Sequence, residues 1–282
     1  MMAEETLYRR RVLVALDPCE VDPADLEASA RLAAGLNAEL VALFVEDSDV
    51  IAAADLPFAR LIPAGCRNLA ALDGAAMRRA FRIAEGRARE HLSNAAQRWH
   101  LDWSFEVTEV RQAGETVAQL RREDFLALAS ATGRRAVMTR RSATVRAEPA
   151  PCPVMLLRRD SRPDHRRGQP VAVLYEGDES TLMLGRDLAR VYDSPLLVLV
   201  AGEGEADLAA REAEAGRWLA AAGAAGVAQR ITARDAEGIG RLLCEVDAGL
   251  AVVDHRAAVG GGLDIEALAE QTRASIVVLG LR

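Results

Sequence analysis

Short unbroken apolar runs alternate along this chain with longer stretches in which apolar residues return every three or four positions. Arg11-Val12-Leu13-Val14-Ala15-Leu16-Asp17 is such a run, ended by a turn residue, and reads as a strand buried on both faces. A helix is expected next: Asp22 is placed to cap it, Pro23 suits its first position and Gly35 its stop. Leu26, Ala30, Ala33 and Leu36 keep helical spacing between them. Glu39 to Val45 is a second buried strand, so the opening reads as a βαβ unit with a right-handed crossover.

Residues 47–74, with Pro57, Pro63 and Gly65, break the pattern and read as an insertion of loop or short helix. A long helix is expected over about 75–100, with Met77, Phe81, Ala84, Ala88, Leu92, Ala95 and Trp99 on one stripe and six arginines on the other face. Trp103 to Val110 alternates as a third strand, Thr116 to Arg122 suits a short helix, and strands four and five fall at Asp124–Ala129 and Cys152–Leu157.

The polar stretch 161–168 then reads as a linker, after which the pattern restarts at Pro170 to Glu176. The restart matches the beginning in order: Leu32-Ala33 with Leu188-Ala189, Leu40 to Leu43 with Leu196 to Leu199, and Pro153 to Leu157 with Ser275 to Leu279. Further elements are expected at about 205–222 (helix), 227–232 (strand), 235–246 (helix) and 249–253 (strand). Two copies of one α/β domain are therefore expected, at 8–160 and 169–282, the second lacking the insertion.

Composition narrows the chemistry. The chain has 282 residues, half of them hydrophobic but only 4% aromatic, so its cores are built from Ala, Val and Leu. Every one of the 35 basic residues is Arg, which excludes lysine chemistry such as a Schiff base or a P-loop lysine. Residues 1–160 are nearly neutral, with 22 Arg against 23 acids, whereas 161–282 carry 13 against 19. That balance lacks the basic stripe of a nucleic-acid binder. Cys19, Cys66, Cys152 and Cys244 form no CxxC pair and read as small buried hydrophobes; with four scattered histidines, no metal site is expected. No apolar run is long enough to span a bilayer and Met1 to Arg11 resembles no signal peptide, so a cytoplasmic location is expected.

Val12 to Asp17, the Ala- and Leu-rich helix after it, and the strand ending in Phe44-Val45-Glu46 resemble the opening of the universal stress protein (UspA) domain. Ala150-Pro151-Cys152-Pro153-Val154-Met155-Leu156-Leu157-Arg158 resembles its closing strand. The insertion from Glu46 to Arg60 is similar to one in tandem bacterial members. The resemblance implies two Rossmann-like units, each a five-stranded parallel sheet of order 3-2-1-4-5 with helices on both faces. It further implies that the fifth strands, 153–158 and 275–281, pair in an internal pseudo-dimer, with a homodimer as a further possibility.

ATP-binding members hold adenine and ribose near an acidic residue after strand 1, and phosphates on G-x2-G-x9-G-[S/T] after strand 4. The resemblance places Asp17, Gly133, Arg140, Arg141 and Ser142 at that crevice of the first unit. Only Gly133 survives of the glycines, and arginines stand near the expected Gly-Ser. A side chain forced to positive φ costs about 1–2 kcal/mol, and each lost charge-assisted backbone bond about 1.5–3 kcal/mol more. Weak or absent ATP binding follows, unless Arg134, Arg135, Arg140, Arg141 and Arg146, with no acid among them, replace the cradle with guanidinium forks. The second unit offers Asp254-His255-Arg256 and Gly260-Gly261-Gly262, but Asp264 and Glu266 open the following helix and Glu176 stands where Asp17 does.

No catalytic set emerges, so no enzyme is expected. Three functions stay open: a stress-response or regulatory protein acting through protein contacts, a nucleotide-binding switch in the first crevice, and a regulatory subunit of a transporter or kinase.

Overall fold

The computed structural model describes residues 10–17, 21–46, 48–56, 60–61, 70–71, 73–109, 115–130, 151–158, 168–254 and 263–279. In chain order these form β1 (Arg11–Leu16), α1 (Pro23–Gly35), β2 (Glu39–Glu46), α2 (Ser48–Ala54), β3 (Arg60–Leu61), β4 (Ala70–Ala71), α3 (Gly74–Arg98), β5 (Trp103–Glu109), β6 (Phe125–Ser130) and β7 (Val154–Arg158). Then follow β8 (Val171–Tyr175), α4 (Glu179–Tyr192), β9 (Leu196–Val200), α5 (Gly204–Ala221), β10 (Gly226–Arg230), α6 (Ala236–Glu245), β11 (Leu250–Asp254), α7 (Ile265–Gln271) and β12 (Ser275–Leu279). The expected insertion holds α2 and a small antiparallel β3–β4 pair. The short helix expected at 116–122 is a single turn over 115–118.

Ten strands make one sheet in the order β10-β9-β8-β11-β12-β7-β6-β1-β2-β5. Within the first half (β1, β2, β5, β6, β7) and the second half (β8–β12) all pairs are parallel, and each half has the order 3-2-1-4-5. The halves join where β7 meets β12 antiparallel, pairing Val154 with Val278, Met155 with Val277 and Leu156 with Ile276. In the internal sequence match Met155 and Val277 are the same position. A residue facing its own counterpart across an antiparallel pair is what a two-fold axis through that pair produces.

Away from its edge strands β5 and β10, the sheet is buried on both faces, as parallel sheets with helical crossovers are. On one face α1, α3, α4 and α5 cover a continuous core that runs from Val12, Val14 and Leu16 across Met155 and Val277 to Val173 and Val198. On the other face the core is divided. Leu13, Leu43, Leu126, Val117 and Cys152 form one part, and Ala172, Leu174, Ile239, Leu243 and Leu268 the other.

Helix starts follow their sequence signals. Asp22, Asp73, Asp178, Asp235 and Asp264 each accept a backbone N–H of the first turn. The stop of α1 differs from expectation. Gly35 is its last helical residue, Leu36 caps it, and the left-handed residue that ends it is Asn37 (φ 51). Gly35 answers a demand for space: a Cβ there would lie 2.4 Å from a Val191 methyl carbon.

Two cysteines are described and they differ. Cys152 is buried, as expected, whereas Cys244 is exposed on α6, with its Sγ 3.6 Å from the Gln271 carbonyl oxygen. Cys152 neighbours Asp124, a fully buried carboxylate just before β6 that accepts hydrogen bonds from Arg11 N (2.8 Å), Arg121 N (2.9 Å) and the Arg11 guanidinium (3.1 Å). Water reaches the Arg11 side chain, so the backbone bonds do most to satisfy this carboxylate. It staples the amino end of β1 to the turn preceding β6.

Candidate functional site

In an open parallel sheet the ligand crevice lies past the carboxyl ends of the two strands whose connections leave to opposite faces. Here those strands are β1 and β6 in the first half and β8 and β11 in the second. β8 leads into α4 on the continuous-core face and β11 leads towards α7 on the divided one.

Asp17 directly follows β1 and is half-buried. Gly133, Arg140, Arg141 and Ser142 lie outside the described residues, as do His255 and Gly260 to Gly262. Asp17 is thus the one sequence-predicted site residue whose position is described.

Beside the second crevice, the carboxyl ends of β8, β9 and β11 are described. Tyr175 ends β8 with its ring buried; burial, then a hydrogen bond donated to Glu214, push its phenol well above the ordinary tyrosine range. Glu176 and Gly177 (φ 106) follow in a tight turn into α4. Past β9, Asp207 reaches back to accept the Glu203 backbone N–H at 2.7 Å, and Arg211 Nε holds its other oxygen at 3.0 Å. Arg211 Nη1 donates to the Ala201 carbonyl at 2.8 Å, and Arg234 donates to the Gly202 carbonyl. Gly202 permits this fold-back, because a Cβ there would come 2.7 Å from Asp207 Oδ2.

The consequence is electrostatic. A helix N-terminus with open N–H groups attracts phosphate; α5 follows β9, beside the β8–β11 crevice, and its cap residue Glu203 makes no side-chain cap bond. Glu176, Glu203, Asp207 and Asp254 put carboxylates along the same edge of the sheet. Asp264 caps α7 by accepting Ala267 N at 3.0 Å, with Glu266 beside it in the first turn. Sequence reading missed the Tyr175–Glu214 and Asp207–Arg211 network. The spacing of Asp207 and Arg211, one turn apart on a helix, was its available signal.

A cleft of about 220 Å³ lies at the opposite edge of the second half, lined by Arg186, Arg190, Asp193, Leu196, Gly223 and Ala224 among others. It opens beside the amino ends of the strands, away from the crevice where this architecture binds ligands. Among the described residues no three His, Cys, Asp or Glu are grouped to hold a metal ion, and no helix is long and apolar enough to cross a membrane.

No family model and no curated protein matches the chain. Solved structures do. A universal stress protein structure from Pseudomonas aeruginosa UCBPP-PA14 aligns over 96% of this chain and 93% of its own, with TM-score 0.57 and 18% identity. One from Archaeoglobus fulgidus DSM 4304 aligns over 94% and 95%, with TM-score 0.57 and 13% identity. The cytoplasmic domain of a prokaryotic cation chloride cotransporter aligns over 96% and 95%, with TM-score 0.50 and 11% identity. Strand order, two repeated halves and these alignments agree: the chain has the universal stress protein fold over nearly its whole length.

Proposed function

We propose that this chain is a universal stress protein-like regulatory protein of the cytoplasm, without catalytic activity, that works through protein contacts and binds nucleotide weakly or not at all. In this reading its units, 8–160 and 169–282, are joined by 161–168 and form an internal pseudo-dimer. The observation that carries it lies past β11, where Asp264 caps α7 and Glu266 stands in its first turn, so carboxylates hold the helix end nearest the place where the family holds phosphate. The sequence supports the same conclusion for the first crevice, which retains Asp17 and Gly133 but has Arg140-Arg141-Ser142 near the expected Gly-Ser.

The test is the nucleotide content of freshly purified protein, released by heat and separated by chromatography, followed by calorimetric titration with ATP. The expected result is empty protein and no binding at millimolar ATP. A micromolar dissociation constant, lost in Arg140→Ala plus Arg141→Ala, would replace this reading with a nucleotide switch in the first crevice. Such binding should saturate at one nucleotide per chain, because Glu176, Asp264 and Glu266 put carboxylates about the second crevice.

A transporter-linked regulatory role is the second reading. Its support is the likeness to the cotransporter cytoplasmic domain along the full length of both chains. A transporter retained with this protein in a pull-down from detergent-solubilised membranes would favour it.

A further inference from the structure

Helices α1 and α4 meet beside the β7–β12 seam, and they are the same helix in the two halves. Their ends match residue for residue. Asn37 (φ 51) and Asp193 (φ 49) both turn left-handed. Ala38 N bonds Ala33 O at 2.8 Å as Ser194 N bonds Ala189 O at 2.9 Å. Leu36 therefore corresponds to Tyr192, Gly35 to Val191 and Arg31 to Asp187.

Gly35 and Val191, one position in two copies, touch each other. A Cβ on Gly35 would lie 2.4 and 2.7 Å from the two Val191 methyl carbons and 2.9 Å from its Cβ. Like Met155 and Val277, this pair sits where the two-fold relation turns a position onto its counterpart. One partner is the smallest residue and the other is branched and stiff at χ1. The neighbouring contact is equally one-sided. The Arg31 guanidinium lies 4.9 Å from the centre of the Tyr192 ring and donates to the Tyr192 carbonyl at 3.3 Å. In the mirrored contact Asp187 stands for Arg31 and Leu36 for Tyr192, and Asp187 instead binds its neighbour Arg186 at 2.9 Å.

We propose that this face selects the unlike half and rejects a copy of itself, with Gly35–Val191 and Arg31–Tyr192 as the determinants. Two first halves would set Gly35 against Gly35, leaving a gap, and Arg31 against Leu36, which has no ring. Two second halves would force Val191 against Val191, where one valine already fills the space, and would turn the Asp187 carboxylate towards the Tyr192 carbonyl and ring face. Both like pairings lose contacts that the unlike pairing has, so the joint is specified for first half on second half.

The intact chain can test this, because single substitutions mimic the like pairings. Gly35→Val reproduces Val against Val, and Val191→Gly reproduces Gly against Gly. Each should lower the melting midpoint. The exchange variant Gly35→Val/Val191→Gly, with one small and one large residue restored in reverse order, should melt above both. A milder pair guards against variants that fail to fold. In an ordinary helix Gly→Ala raises stability. Here Gly35→Ala should lower the midpoint in the natural chain and raise it when Val191→Gly is already present. Strictly additive shifts, or a midpoint raised by Gly35→Ala in both backgrounds, would overturn the proposal.

Discussion

Cys152 shows what a single side chain contributes through its surroundings. It has no exposed surface, and burial first, then the nearby Asp124 carboxylate, push its thiol up to about 12 from an ordinary 9.0. Above pH 9 the unfolded chain sheds this proton while the folded chain keeps it. The unfolded state then binds fewer protons, and stability falls as pH rises. The loss should approach about 1.4 kcal/mol per pH unit from this group alone. Tyr175, also raised, adds to the fall once pH passes its ordinary value of 10.0. Urea unfolding at pH 8, 9 and 10 should therefore give a declining series, and Cys152→Ala should flatten it between 9 and 10; an unchanged slope would remove Cys152 as its source. The buried location of Cys152 was legible from its place before an apolar strand. The exposure of Cys244 was written less plainly. On α6 the buried residues are Ile239, Gly240 and Leu243, and Cys244 lies one turn after buried Gly240, so helical spacing alone does not place it outside.

Among the elements, the start of α1 was legible at Asp22 because capping is local chemistry, and Asp178, which sequence reading did not single out, caps α4 in the same way. Asp178 accepts Ser180 N at 2.9 Å and the Ser180 hydroxyl at 2.6 Å, while its carbonyl accepts the Thr181 hydroxyl at 2.6 Å. Asp178→Ala should cost about 1 kcal/mol, read as a lower urea midpoint, whereas Asp178→Asn should keep most of the stability because an amide oxygen can still accept. Equal losses would shift the contribution from the cap to negative charge at the helix start. The stop of α1 was not legible in the same way. A glycine near a helix end signals a left-handed cap from sequence, and Gly35 offered that signal, but its real constraint is Val191, far along the chain. Local spacing cannot report a contact made by folding. The strand order 3-2-1-4-5 came from family resemblance and was not derivable from spacing, since parallel neighbours are chosen by crossovers that periodicity does not record. The same line runs through the residues near the crevices: Asp17 follows directly from a strand end, whereas the Asp207 fold-back onto Glu203 depends on a loop conformation that only tertiary structure supplies.

For the whole molecule, the decisive fact is that one face of the sheet carries a single core. Met155 and Val277 face each other at the seam, both fully buried, and the same cluster continues through α1 and α3 on one side and α4 and α5 on the other. Separating the halves would expose this apolar surface, at roughly 25 cal/mol per Å², and would leave the β7 and β12 edges without partners. On the opposite face the core divides into two clusters that meet only through Leu156, so the shared face and the β7–β12 pairing carry most of the coupling. The three tryptophans report on the halves separately: Trp99 and Trp103 belong to the first and Trp218 to the second. Trp218→Phe leaves fluorescence from the first half only, and Trp99→Phe with Trp103→Phe leaves it from the second. Trp99 and Trp218 donate to Glu27 and Glu179 at 2.9 and 3.0 Å, so each Phe variant loses a hydrogen bond and shifts its own midpoint. Fluorescence must therefore be compared with far-UV circular dichroism within each variant. If the shared core couples the halves, the two probes should trace one guanidinium transition in both variants. Fluorescence that changes ahead of the helical signal in one variant and after it in the other would mean that the halves unfold in turn, and that the seam joins two independently stable units.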